Sequence, residues 1–116
     1  MSIWIVDDEP EICHILDYLL KRDGHQTRSF ENPLDALSEM TTAQPTAIIC
    51  DFKMPQMNGL DFFIAIKDAW KGDFYILTGE PSTDPNELKA LGIKDVLFKP
   101  RDLTQIVSIL KYPSNS

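Results

Sequence analysis

Short apolar runs alternate with amphipathic stretches along the whole chain, about five times over, which is the pattern of a parallel sheet with covering helices. Ile3 to Val6 is a continuous β-branched and aromatic run, as expected of a strand buried on both faces. After the acidic turn, Pro10 suits a first helical position. Ile12, Ile15, Leu16, Leu19 and Leu20 then recur at helical spacing until Gly24 stops the helix. Gln26 to Phe30 is a weak, polar strand candidate whose place is a sheet edge. Asn32-Pro33 reads as a cap plus first turn, with Leu34, Leu37 and Met40 on one helical face.

Ala47 to Cys50 is the next buried strand, and it ends at Asp51. Phe52 to Asn58 has no clean period and contains Pro55, so it reads as a loop. Gly59 opens a helix carrying Leu60, Phe63, Ile64, Ile66 and Trp70. Phe74 to Leu77 is a fourth strand, ending at Thr78. Asp84-Pro85-Asn86-Glu87 combines an N-cap acid, a first-turn proline and a glutamate three residues on, which predicts a short helix through Leu91 closed by Gly92. Asp95 to Phe98 is the fifth strand, followed by Lys99-Pro100. The last helix is expected to begin near Asp102 and to run through Leu103, Ile106, Val107 and Leu110.

With 116 residues and no internal repeat or linker, five β/α units use up the length of a single domain, residues 1–112, with 113–116 as a tail or linker stub. No room is left for a DNA-binding module, and a net charge of −7 opposes direct contact with nucleic acid. The longest apolar run, Phe62 to Ile66, is far short of the roughly 20 residues that span a bilayer. The first residues lack a basic n-region and meet Asp7-Asp8-Glu9 before an apolar segment forms, so the reading is a cytoplasmic protein. Cys13 and Cys50 lie inside apolar segments and read as buried, reduced thiols. His14 and His25 lack spaced partners and read as surface and loop residues.

The strands end at polar residues that packing does not explain: Asp7-Asp8, Asp51, Thr78 and Lys99. In an open α/β sheet the carboxyl ends of the strands form the binding crevice, so these residues converge although distant in sequence. Gathered carboxylates repel one another and stay ionised only around a cation. Hard oxygen donors select magnesium or a similar ion. The Lys99 ammonium neutralises part of the same charge and can hold a phosphoryl oxygen, and Thr78 adds a hydroxyl donor. Phosphoryl transfer needs such a set, with a carboxylate able to accept the group as an acyl phosphate.

With Asp7-Asp8 after Val6, the stretch Asp51-Phe52-Lys53-Met54-Pro55-Gln56-Met57-Asn58-Gly59, then Thr78-Gly79 and Lys99-Pro100 in this order, the chain resembles a receiver domain of the response-regulator family over essentially its whole length. The resemblance implies a flavodoxin-like α/β fold: a doubly wound, five-stranded parallel sheet of order 2-1-3-4-5, flanked by five helices. It implies Asp51 as phosphoacceptor, Asp7 and Asp8 as the acidic metal pair with Asp8 the stronger candidate for direct ligation, and the main-chain carbonyl of Lys53 as a further magnesium ligand. Thr78 resembles the switch hydroxyl and Lys99 the lysine that pairs with the phosphoryl group. The Lys99-Pro100 bond is a candidate cis peptide. The implied partners are a sensor histidine kinase or phosphotransfer protein and a downstream protein, with the chain a monomer or weak homodimer.

One position departs from the family. An aromatic residue commonly stands three residues before the lysine, where this chain has Val96, so phosphorylation is expected to work while its structural consequence differs from the aromatic-coupled pattern. Lys53 and Glu80 stand two residues beyond Asp51 and Thr78, positions that the resemblance implies flank the phosphoryl group and tune the hydrolysing water. Their opposite charges predict an ion pair at the crevice mouth and a long-lived acyl phosphate. Two other classes compete. A haloacid-dehalogenase-type phosphatase needs a second aspartate where this chain has Lys53, and its paired acids come late. A phosphorylation-independent interaction module on the receiver scaffold is disfavoured by the complete acidic, hydroxyl and lysine set, although Val96 keeps it open.

Overall fold

The computed structural model describes residues 1–111, without the side chain of Lys111; Tyr112 and the tail or linker stub assigned to 113–116 lie outside the described residues. Five strands, β1 (Ser2–Val6), β2 (Gln26–Phe30), β3 (Ala47–Asp51), β4 (Asp73–Thr78) and β5 (Asp95–Phe98), alternate with five helices, α1 (Pro10–Arg22), α2 (Pro33–Glu39), α3 (Gly59–Ile66), α4 (Pro85–Ala90) and α5 (Gln105–Lys111). All strand pairs are parallel, in the order β2-β1-β3-β4-β5. The doubly wound sheet of the expected order is present, and the polar Gln26–Phe30 strand is at an edge, where one flank of its backbone needs no apolar cover.

Strand side chains alternate between two apolar layers, as the two-residue repeat of a strand requires. Trp4, Val6, Ile48, Cys50, Phe74, Ile76 and Val96 face α2, α3 and α4, packing with Ala36, Phe62, Phe63, Ile66 and Leu88. Ile3, Ile5, Ala47, Ile49, Tyr75, Leu77 and Leu97 face α1 and α5, packing with Ile12, Leu16, Leu20, Ile106 and Leu110. The fully buried Trp4, Phe62 and Phe74 contribute most per residue, on the order of 1.5–3 kcal/mol for a large apolar side chain.

Local signals in the sequence account for most element ends. The Asn32 and Asp84 side chains accept from the amides of Leu34 and Asn86 and so cap α2 and α4. Gly24 and Gly92 close α1 and α4 with φ of 91° and 113°, a region that other residues rarely adopt. The Lys99–Pro100 bond is cis.

The structure corrects four details. Ile15, Leu34 and Ile64 are exposed: the stripes that meet the sheet are Ile12, Cys13, Leu16 and Leu20 on α1, and Pro33, Ala36, Leu37 and Met40 on α2, which leave Ile15 and Leu34 off the buried arc. Trp70 lies beyond α3, buried, with its indole N–H donating to the Pro45 carbonyl at 2.8 Å. The short helix α4 ends at Ala90, and Leu91 is an exposed C-cap residue. The last helix starts at Gln105, not near Asp102. Asp102 is held in the turn before it, where its Oδ2 accepts the Phe98 amide at 2.9 Å.

Candidate functional site

Register decides which strand ends meet. Val6 is level with Cys50, and Asp51 with Leu77, while Thr78 is level with Phe98. One step past each of these lies a polar side chain, so Asp7, Asp51, Thr78 and Lys99 form a row across the carboxyl edge of β1, β3, β4 and β5. The open end of a parallel sheet is where such an alignment leaves a crevice.

Asp7 is completely buried, and among the described residues Asp51 and Thr78 are the other buried polar side chains, 5% and 1% exposed. Lys99 lies among the acids. Its Nζ is 3.1 Å from Asp51 Oδ1, 2.9 Å from Asp7 Oδ2 and 2.8 Å from Glu9 Oε1. Asp7 Oδ1 accepts the Glu9 amide at 2.9 Å, whereas Asp7 Oδ2 has the ion-pair contact with Lys99 but no hydrogen-bond partner. Carboxylate oxygens of Asp7, Asp8, Glu9 and Asp51 all lie within 4.8 Å of one another. Four acids sharing one ammonium leave a surplus of negative charge, which is costly where the carboxylates are buried. The donor set fits a hard divalent cation.

The electrostatics express the same surplus. Burial raises the Asp51 carboxyl to about 7, helped by the charge on Asp7 and opposed by Lys99. Burial also raises Asp7, against the pull of Lys99 and of the Glu9 amide. At Lys99 burial disfavours the ammonium, but the carboxylates of Glu9, Asp7 and Asp51 outweigh it and the net shift is upward. Burial pushes the Cys13 thiol up to about 11 and the Cys50 thiol well above its ordinary value. Both cysteines are free and buried, as expected of packing residues.

Main-chain contacts hold Asp51 in place. The Phe52 amide donates to the Leu77 carbonyl and the Gly59 amide to the Phe52 carbonyl, both at 2.7 Å, so the loop after β3 folds back onto the start of α3. A Cβ on Gly59 would lie 2.5 Å from the Asp51 carbonyl oxygen and 2.8 Å from Ile76 Cδ1; only glycine fits there.

Thr78 stands apart from the acids. Its hydroxyl accepts the Glu80 amide at 3.0 Å and is 2.9 Å from the hydroxyl of Thr83. Lys53 Nζ is 3.6 Å from Glu80 Oε1, with the two side chains 82% and 51% exposed. Val96 is buried in the layer facing α4. Phe98, on the same face two residues on, is half-buried and lies under the Arg101 guanidinium, 5.7 Å from the ring centre.

Two contacts of this region were not read from the sequence. Glu9 was legible only as the third acid of a helix-opening run, and nothing local signals that it reaches Lys99, 90 residues on. Thr83 belongs to a loop with no period, and its link to Thr78 exists only once that loop is folded.

Residues 3–111 match the family described as the response regulator receiver domain. The chain belongs to this family. It is 34% identical over 121 residues to the Regulator of RpoS of Escherichia coli (strain K12), the match covering 97% of this chain and 35% of that protein. Among solved structures it resembles the chemotaxis protein CheY4 of Vibrio cholerae, with a TM-score of 0.83 and 26% identity over 95% of both chains. It also resembles the response regulator TrrA of Thermotoga maritima, solved in complex with Mg(2+)-BeF, with a TM-score of 0.82 and 24% identity over 95% of this chain and 96% of that one. The receiver spans about a quarter to a third of the length of the longer regulators it matches. No helix among the described residues is long and apolar enough to cross a membrane. The receiver family is one of signalling switches in two-component systems.

Proposed function

We propose that this receiver accepts a phosphoryl group on Asp51 from a sensor histidine kinase or a phosphotransfer protein, and signals through the resulting change in conformation to a downstream protein. The observation that carries the reading is Asp51 Oδ1, nearly buried, 3.1 Å from Lys99 Nζ and inside a cluster of four acids. Asp51 Oδ attacks phosphorus, the P–N bond of a phosphohistidine donor breaks as the P–O bond forms, and the leaving imidazole nitrogen keeps the electron pair and takes up a proton. Lys99 would hold an oxygen of the transferred group, and the Thr78 hydroxyl, bonded at rest within its own loop, would turn to donate to another.

Asp8 and Asp51, the main-chain carbonyl of Lys53, and Asp7 directly or through water would hold magnesium. Bound there, the ion supplies positive charge to offset the acids and the transferred phosphoryl oxygens. The excess of four clustered carboxylates over the single Lys99 ammonium supports this assignment. So does the comparison with TrrA, which was solved with Mg(2+)-BeF. The Lys53–Glu80 ion pair supports a slow loss of the phosphoryl group, on the reading that it obstructs the attacking water. The chain acts as a switch rather than as an enzyme with a separate substrate, in the cytoplasm, as a monomer or weak homodimer. Its charge of −7 disfavours direct contact with nucleic acid.

Incubation with acetyl phosphate, with and without magnesium, followed by intact-mass measurement of wild type and Asp51→Asn, tests the reading. The expected result is one phosphate adduct that requires both magnesium and Asp51. An absence of adduct under every condition would favour the second reading, a phosphorylation-independent interaction module, for which the buried Val96 in place of a switch ring speaks.

A further inference from the structure

The Thr78 hydroxyl is committed to its own loop. It has one proton and two lone pairs to offer. The Glu80 amide takes one lone pair and Thr83 Oγ1, at 2.9 Å, takes either the proton or the second lone pair. Both partners belong to the segment between β4 and α4, and the Thr83 amide closes it by donating to the Glu80 carbonyl at 3.1 Å. Among the described residues no hydrogen bond of this hydroxyl reaches Asp51 or Lys99. Thr83 is half-buried and lines, with Lys53, Glu80 and Leu88, a groove of about 590 Å³ between α3 and α4.

We propose that Thr83 is a positioning residue that latches Thr78 in its resting orientation, so that the hydroxyl turns to a phosphoryl group on Asp51 only when the Thr78–Thr83 bond breaks. The proposal rests on the phosphoacceptor reading above. Because Thr83 and Glu80 also form one wall of the groove, release of the latch changes that wall. It carries the state of Asp51 to the surface without a ring at position 96. The bond stabilises the resting state alone, so removing it tightens any ligand that selects the released state by the same free energy.

The test is a calorimetric titration of the whole chain with magnesium and beryllium fluoride, a mimic of an aspartyl phosphate. Thr83→Val removes the hydroxyl at nearly constant shape and is expected to bind the mimic roughly two- to tenfold more tightly than wild type, the equivalent of one net hydrogen bond. Thr83→Ser, which keeps the hydroxyl, retains the wild-type constant. In a Thr78→Val background the Thr83→Val change has no effect, because the pair is already broken. Circular dichroism checks folding, and Thr83→Ala serves should the valine variant fail to fold. Unchanged or weaker binding by the folded variants, with wild type binding normally, overturns the latch and leaves the phosphoacceptor reading intact. Failure of wild type to bind the mimic, or binding that persists in Asp51→Asn, overturns both.

Discussion

The ammonium of Lys53 lies 3.6 Å from the carboxylate of Glu80, bridging the loops that follow β3 and β4 beside Asp51. Both side chains are largely exposed, so the pair adds little to stability, about 0–1 kcal/mol. Its expected consequence is kinetic. Lys53→Ala is expected to leave the denaturation midpoint nearly unchanged while speeding loss of the phosphoryl group by up to about fivefold, what an interaction of that size represents as a rate. The decay of the phosphorylated mass in the two proteins checks it, and an unchanged rate removes the idea that the pair obstructs water.

Stability of the metal-free protein is expected to depend on pH through Asp51. Its folded-state carboxyl is raised from 3.8 to about 7, chiefly by burial. A carboxyl shifted upward favours folding while it is protonated. The contribution is fully present below the unfolded-state value and is lost as pH rises through the folded-state value. Between pH 5 and pH 8, values chosen to bracket the upper part of about 4 to 7, wild type therefore loses stability relative to Asp51→Asn. Urea denaturation of both proteins in a metal chelator measures the difference, and a gap that does not widen with pH contradicts it.

Magnesium should stabilise the folded chain by mass action, by about 2.7 kcal/mol at a hundredfold excess over its dissociation constant. Asp7→Asn is expected to reduce that gain, since Asp8 and Asp51 remain. It also removes one of the buried, mutually repelling acids, and Lys99 keeps Asp51 and Glu9 as partners. The same variant is accordingly expected to be more stable than wild type without metal, by on the order of 1 kcal/mol. Thermal melts with and without magnesium read both signs, and a variant that responds to magnesium as fully as wild type excludes Asp7 from the metal site.

Gly59→Ala has no room to relax. Its Cβ would press on the Asp51 carbonyl oxygen at 2.5 Å, and main chain cannot move aside as a flexible side chain does. Overpacking of this kind typically costs about 1–3 kcal/mol. Displacing the Asp51 backbone should in addition slow phosphorylation by acetyl phosphate. A folded variant with wild-type stability and wild-type phosphorylation would remove the positional role assigned to this contact.

Much of the architecture was legible in local pattern. Strands buried on both faces read as unbroken apolar runs, and caps such as Asn32 and Asp84 or stops such as Gly24 and Gly92 act on the few residues beside them. Local pattern was weaker for helices that bury only part of their apolar surface. Ile15, Leu34 and Ile64 fit a helical repeat as well as their buried neighbours do, and which arc meets the sheet depends on how each helix is laid across it. Asp102 looked like a helix start because aspartate caps helices, whereas here it accepts a strand-end amide.

For the site, the sequence by itself determined the chemical inventory: acids, a hydroxyl and a lysine at the ends of strands, in an order that recurs in receivers, because strand ends are set by short-range pattern. Tertiary structure alone decided which of them touch. Strand register places Asp51 beside Lys99, and loop folding turns Thr78 toward Thr83 and brings Glu9 to an ammonium 90 residues away. Those contacts depend on distances of a few ångströms between segments remote in sequence, and no local periodicity records them.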